Sequence, residues 1–443
     1  MKLRVRELRL PIDHKMVDLY KAAARRLGIS ADKFQGFKLV RKSVDARRKN
    51  IYFTYTVDVE LPNNLKLKAA LMESAEISAV KPVQTTPVIP GVESLPYSPL
   101  IIGSGPAGLF CAYYLAQKGY QPVVIEQGQD IDRRVQTVSE FWQAGKLNTH
   151  SNTQFGEGGA GTFSDGKLTT RIGDERVNYV LEAFTKYGAD EEILYLKKPH
   201  VGTDVIRQVV KKMRQDIIKM GGEFYFDAQM TDLDINNKCL KSIIINSRVT
   251  IPCAVMVLAV GNSARDVYRL LAAREVSLIP KAFAMGVRIE HPQEFIDKKQ
   301  YGRYAGYPQL GAADYQLTYQ DRETGRSLYT FCMCPGGYVI GAASDHEQVV
   351  TNGMSYFARD TGIANSALVA TVKPADWEFS ALGGVKLQEE LEHLAFRMGG
   401  GNYRAPAQLV NDFLEQKQTS SLEGSIATFT PGVTPANLWE LMP

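Results

Sequence analysis

Three glycines and one glutamate carry the first recognisable chemistry of this chain. Gly103-Ser-Gly105-Pro106-Ala107-Gly108 is followed by Glu126, eighteen positions after the third glycine. That spacing suits a dinucleotide pyrophosphate. Gly103 would make a tight turn, Gly105 would let a phosphate approach bare backbone, and Gly108 would let a helix pack close to a strand. The helix start at Pro106 and Ala107 would offer free N–H groups and a partial positive charge. Glu126, with Gln127 behind it, would accept from a pair of ribose hydroxyls.

The elements that must hold these residues are legible around them. Pro99-Leu-Ile-Ile102 reads as a short buried strand, Leu109 to Lys118 as a helix stopped by Gly119, and Pro122-Val-Val-Ile-Glu126 as a second strand.

NAD and FAD both use this fingerprint, and two further segments favour FAD. Val255-Met-Val-Leu-Ala-Val-Gly261 reads as a buried strand that returns Gly261 to the dinucleotide. Before it, Gln229 to Ile235 reads as half of a hairpin turning at Asn236-Asn237, which would bring backbone near Met230 to the adenine edge. The second segment is Asn152 to Leu168, with five glycines between Gly156 and Gly166. No core helix or central strand tolerates that composition. A loop so open, through Gly158, Gly159, Ala160, Gly161 and Thr162, can lay N–H groups against a phosphate or a flavin edge. Asp204 to Met220 is an amphipathic helix whose stripe of Ile206, Val209, Val210, Met213, Ile217 and Met220 belongs to the core.

Gln154-Phe-Gly-Glu-Gly-Gly-Ala-Gly-Thr-Phe-Ser-Asp-Gly-Lys167 resembles a bacterial family of FAD-dependent dehydrogenases. The resemblance continues through Lys198-Pro-His-Val-Gly-Thr-Asp204, Gly261-Asn-Ser-Ala-Arg-Asp266, Gly286-Val-Arg-Ile-Glu-His-Pro292, Leu310-Gly-Ala-Ala-Asp-Tyr315, Phe331-Cys-Met-Cys-Pro-Gly-Gly337 and Thr351-Asn-Gly-Met-Ser355. It implies an α/β chain: a glutathione-reductase-type FAD-binding Rossmann domain, an inserted α+β substrate domain and a small N-terminal α/β domain. The expected boundaries are a basic N-terminal domain at 1–80, a proline-rich linker at 81–97, the FAD-binding domain at 98–275 and the substrate domain at 276–443. Arg134 resembles the family's arginine near the pyrophosphate. Two features depart from the pattern. Asn262 stands where the family usually has histidine. After Thr419 nothing resembles the family's returning segment, whose helix would point at the flavin N1/C2=O edge, so a truncated chain is expected.

Other residues keep two readings. Arg265 could contact pyrophosphate or begin the next helix. Lys167 could neutralise the flavin N1/O2 edge or face solvent. His200 could sit near the ligand or cap the helix near Asp204. Arg288, on a strand-like run with His291, could take a substrate carboxylate or form an internal ion pair. No general acid or base stands out. Cys332-Met-Cys334 lacks redox-pair spacing and a four-ligand metal set, so both are expected as packing cysteines.

The bulk of the sequence sets the limits. With 443 residues the chain is expected to form two to four domains. Cys111, Cys239, Cys253, Cys332 and Cys334 are scattered and odd in number, which suggests a reducing cytoplasm. No run approaches a membrane span and no secretory signal is visible. Residues 1–70 hold 17 Lys/Arg against 7 Asp/Glu, while the remainder holds 35 against 41. That basic block could face nucleic acid or be a small domain with solvated charges. The expected function is an FAD-dependent oxidoreductase passing hydride between flavin N5 and a small organic substrate, with NAD(P)H as a transient reductant or the substrate itself as the hydride source. The alternatives are a nucleic-acid-binding flavoprotein and a non-catalytic FAD-binding scaffold. Substrate and oligomeric state are not specified by the sequence.

Overall fold

The computed structural model describes residues 1–443 except Arg48, Lys66, Ala69, Ala70, Met72, 82–87, Pro90, Arg171, Glu378, Phe379, Met442 and Pro443. The chain divides into two units, Met1–Pro90 with Lys167–Val201 and Gln293–Asp314, and Gly91–Gly166 with Gly202–Pro292 and Tyr315–Pro443. Of the proline-rich stretch, Pro82, Pro87 and Pro90 lie outside the described residues, and Val88, Ile89 and Val92 are exposed.

The first unit is built on an antiparallel sheet. Its strands are β1 (Lys2–Pro11), β2 (Gly36–Asp45), β3 (Tyr52–Glu60) and β4 (Ile77–Ala79), in the order β2-β3-β1-β4. Alternation buries Leu3, Val5, Leu8 and Leu10 of β1 against Phe53, Tyr55, Val57 and Val59 of β3. A bulge between Val5 and Leu8, with Glu7 at φ 54°, keeps both halves of β1 facing the core. Helix Met16–Leu27 covers the sheet through Leu19, Ala23 and Leu27. Met16 and Tyr20 belong to the same helical period but are exposed, outside the buried stripe. Part of the basic excess is matched internally. Arg4 donates to Asp58 at 2.7 and 3.0 Å, and Lys2 and Arg9 pair with Glu60 and Asp45.

The second unit carries a parallel sheet of β5 (Leu100–Ile102), β6 (Val123–Ile125), β7 (Glu223–Tyr225) and β11 (Met256–Leu258), in the order β11-β5-β6-β7. This is the Rossmann-type arrangement, with helix Pro106–Gln117 connecting β5 to β6. Leu100, Ile101, Ile102, Val124 and Ile125 are buried, as the apolar runs predict. The strand expected at Val255–Val260 is shorter and less buried than its composition suggests. β11 is an edge strand, with Val255 and Leu258 exposed. The long helix spans Thr203–Lys219 and buries Ile206, Val209, Val210, Met213 and Ile217.

β8 (Met230–Asn236), β9 (Cys239–Ile245) and β10 (Val249–Pro252) form a three-stranded antiparallel sheet. The β8–β9 turn is made by Asn237 and Lys238, both at positive φ (50° and 60°), as a two-residue hairpin requires. A larger antiparallel sheet follows: β12 (Phe283–Pro292), β13 (Thr318–Gln320), β14 (Ser327–Cys334) and β17 (Ile363–Val372), in the order β12-β17-β14-β13. β15 (Tyr338–Gly341) pairs with β16 (Thr351–Met354), and β18 (Ala405–Ala407) pairs in parallel with β19 (Val433–Pro435). A bulge between Phe331 and Cys334, with Cys332 at φ 45°, interrupts the alternation of β14. Cys334 is therefore buried as a packing residue while Cys332 is exposed, against the expectation for the latter. Among the described residues no helix is long and apolar enough to cross a membrane.

The stripe of helix Thr203–Lys219 is a direct test of this packing. Met213 is fully buried, so Met213→Ala is expected to cost about 2–5 kcal/mol, read as a lowered urea midpoint of the second unit.

Candidate functional site

The glycine turn after β5 is sterically obligatory. Gly103 sits at φ 99°, and a Cβ there would meet the Ala259 carbonyl oxygen at 2.4 Å. A Cβ on Gly108 would meet the Gly103 carbonyl oxygen at 1.9 Å. Helix and strand touch backbone to backbone at that point. Gly105 is different: a Cβ there would rest in ordinary contact with the Gly159 Cα at 3.8 Å, so the glycine turn and the loop meet there at the cavity wall. No side chain caps helix Pro106–Gln117, and no acidic residue lies in its first turn. Its N–H groups and dipole are thus available to an anion.

The glycine-rich loop is held from beneath by Arg134, in the first turn of helix Ile131–Ala144. Its Nε donates to the Asn152 carbonyl at 2.8 Å. Nη1 donates to the carbonyls of Gly156, Glu157 and Gly159 and to Thr162 Oγ1 at 2.7–3.2 Å. Arg134 is 0% exposed, and its Nη2 is buried without a hydrogen-bond partner among the described residues. Burial pushes the guanidinium down to about 9, still charged at neutral pH. Its ring contact is Phe163, which also carries Arg207, with guanidinium carbons 4.9 and 4.5 Å from the centroid.

A cavity of about 460 Å³ lies above this loop. Gly103, Gly105, Pro106, Ala107, Glu126, Gln127, Gly159, Ala160, Gly161, Met230 and Gly261, all predicted for the dinucleotide, line it together. Glu126 is buried, and both its oxygens are engaged. Oε2 accepts from Ser104 N and Oγ, and Oε1 from the N–H groups of Gly128 and Gly156. Gly108 underlies the cradle rather than lining it.

Several predicted cofactor residues fall elsewhere. Arg134 braces the loop and does not line the cavity. Gly158 faces inward, where a Cβ would meet Thr162 Cγ2 at 2.4 Å. Thr162 is fully buried, and its carbonyl accepts from Thr203 Oγ1. Arg265 begins helix Arg265–Ala273, and its guanidinium grips Glu392 at 2.7 and 2.9 Å. Lys167 and His200 belong to the first unit, where they share an isolated antiparallel bridge.

A second cavity, of about 700 Å³, adjoins the first and shares Gln154, Asn262 and Ser263 with it. Its lining includes Arg265, Arg288, Glu290, His291 and Glu392. Of the two readings for Arg288, the internal ion pair is not seen among the described residues: its hydrogen bonds go to Asn365 Oδ1 at 2.6 Å and Asn352 Oδ1 at 3.5 Å. Glu290, two residues along β12, instead accepts from the backbone N–H and hydroxyl of Thr428. Burial pushes the Glu290 carboxyl up and the His291 imidazole down. His291 Nε2 lies 2.9 Å from the Tyr315 hydroxyl.

The sequence reading passed over four residues that organise these cavities. Ser104 binds Glu126. Glu157 is buried and joins Ile131 N to Arg214 Nε, at 2.8 and 2.7 Å. Gln154 accepts from Ser263 at the junction of the two cavities. Asn365 orients Arg288. Only Glu157 carried a signal, as an acid between two glycines in the glycine-rich run.

Comparison with known proteins gives three matches to family models. "FAD-dependent protein, C-terminal domain-like" matches residues 282–443, "NAD(P)-binding Rossmann-like domain" matches 101–150, and a domain of unknown function matches 2–60. An uncharacterized protein of Clostridium beijerinckii is 44% identical over 445 residues, spanning all of this chain and 83% of its own length. Among solved structures, THI4 of Thermovibrio ammonificans aligns with 41% of this chain and 64% of its own, short of two thirds, at 17% identity and TM-score 0.28. Glycine oxidase of Bacillus cereus aligns with 61% and 71% at 13% identity and TM-score 0.26. At those scores neither structure bears on what this chain does.

Two outcomes test the site's construction. Arg134→Met leaves several buried carbonyls without a donor. It is expected to cost at least about 3 kcal/mol and to raise hydrogen exchange across residues 152–166; unchanged exchange there would contradict the bracing role. His291 has a folded-state value below its ordinary 6.5, so the unfolded chain binds that proton more readily. Stability present above about pH 6.5 should be lost as pH falls through the folded value. His291→Gln should flatten that part of the pH–stability curve.

Proposed function

The chain belongs to the same family as the uncharacterized Clostridium beijerinckii protein, its own segments match FAD-dependent and Rossmann-like family models, and on that premise we propose that it is an oxidoreductase acting on a small organic molecule. The observation that carries this reading is the junction of the two cavities at Gln154, Asn262 and Ser263. One cavity has the build of a dinucleotide cradle, and the other has the size and lining of a small-molecule pocket.

The residues present fit FAD. The uncapped start of helix Pro106–Gln117, beside Gly105 on the cavity wall, would take the pyrophosphate. Gln127 and Met230 line the same cavity, while Glu126, whose oxygens already accept from Ser104, Gly128 and Gly156, would shape it rather than bind the ribose. Bound FAD supplies hydride transfer at N5, with substrate or NAD(P)H as donor. The chain's own contribution is placement and exclusion of water. The loop Gly159–Gly161 closes one side of the cradle, and Arg134 keeps it in that shape. Gln154, Asn262 and Ser263 set polar groups at the boundary between cofactor and substrate. The polar residues Arg288, Glu290 and His291 lie on β12 along the wall of the larger cavity.

Absorbance of the purified chain is the first test. It is expected to carry flavin, or to take it up from added FAD, and to bleach anaerobically with NADH or NADPH. Gly105→Val, which sets a branched side chain at the cavity wall beside Gly159, should reduce flavin content at least roughly tenfold without unfolding the chain. A colourless protein that acquires no flavin would overturn the proposal.

A further inference from the structure

The larger cavity contains two arginines of opposite status. Arg265 is neutralised by a two-point contact with Glu392. Among the described residues Arg288 has no carboxylate in ion-pair contact. It is bonded to the neutral amide oxygens of Asn365 and Asn352 and to the Cys334 side chain, and its Nε is buried without a partner among the described residues. Asn365 Nδ2, on the amide that holds the guanidinium, is also buried and unpartnered. The ionisable groups that act on Arg288 are the Cys334 and Cys332 thiols and the Glu290 carboxyl, and Glu290 is held by Thr428. A buried cation with unmet donors is costly unless something anionic approaches it.

Much of the remaining wall is apolar, including Leu368, Val369, Leu409, Phe413, Phe429 and Leu441. One unneutralised guanidinium in such a wall matches a single negative charge. A phosphate dianion would leave charge uncompensated in an apolar pocket, whereas a planar carboxylate suits one guanidinium fork. Resting on the reading of this cavity as the substrate pocket, we propose that Arg288 anchors the carboxylate of an amphipathic organic acid whose apolar body fills the rest of the cavity.

The experiment is calorimetric titration of the full chain with hexanoate and phenylacetate, each against its own amide, with flavin content measured separately on the same sample. The acids are expected to bind at least roughly tenfold more tightly than the amides. Arg288→Gln should abolish that preference and Arg288→Lys should retain part of it. Equal binding of acid and amide to the unaltered chain overturns the inference, as does binding of neither; both readings stand even where a variant fails to fold. Undiminished acid preference in folded Arg288→Gln overturns it too. A flavin-loaded chain without acid preference removes this inference and leaves the oxidoreductase reading. A chain that takes no flavin yet prefers acids does the reverse.

Discussion

The burial of one guanidinium beneath a glycine-rich loop governs the architecture of the cofactor side. Arg134 is fully enclosed and meets carbonyl and hydroxyl oxygens of residues 152–162 instead of a carboxylate. Those oxygens must converge on one point, which a loop of ordinary residues could not easily achieve. Gly156, at φ 114°, shows why: a Cβ there would lie 2.4 Å from Arg134 Cδ. The glycines are therefore needed twice, on the inner face by the arginine and on the outer face by the ligand space. Glu157 reinforces the arrangement by tying the start of helix Ile131–Ala144 to Arg214 on helix Thr203–Lys219.

Given that brace, the cradle follows. With the loop's carbonyls turned down toward Arg134, its upper backbone faces Gly105 across the cavity, and Gly159 and Gly105 come within van der Waals range. Glu126 adds a second tie by accepting from both Ser104 on the glycine turn and Gly156 on the loop. One carboxylate thus couples the two glycine-rich segments, so the shape of the cradle is set by protein contacts before any nucleotide arrives. Such preorganisation reduces the ordering cost of binding.

What could be read from sequence here was what is encoded locally. The strand–turn–helix at Leu100–Gln117, the hairpin turning through Asn237 and the buried stripe from Ile206 to Ile217 all declare themselves through short-range period or turn chemistry. The side-chain roles did not, because their partners lie far along the chain. Arg265 finds Glu392 across 127 positions, and Arg288 finds Asn365 across 77. Nothing near Arg134 announces that it faces the underside of the loop rather than the phosphate. The exposure of β11 was hidden for a related reason. Its residues have core composition, but their place at the sheet edge beside the cavity leaves them uncovered within the protein.

The contrast between Arg265 and Arg288 gives the larger cavity a direction. Both are positive and both line the same space, yet only one retains an unanswered charge. An anion entering would have to displace Glu392 to reach Arg265, breaking a pair whose two side chains are 11% and 13% exposed. That costs several kcal/mol in a poorly hydrated pocket, of order 3–5 for a broken buried pair. At Arg288, which lines the cavity, no ion pair among the described residues needs to be broken. Positive charge in the cavity is therefore answered at Arg265 and left to neutral partners at Arg288, an asymmetry that a wall of uniform charge would not have.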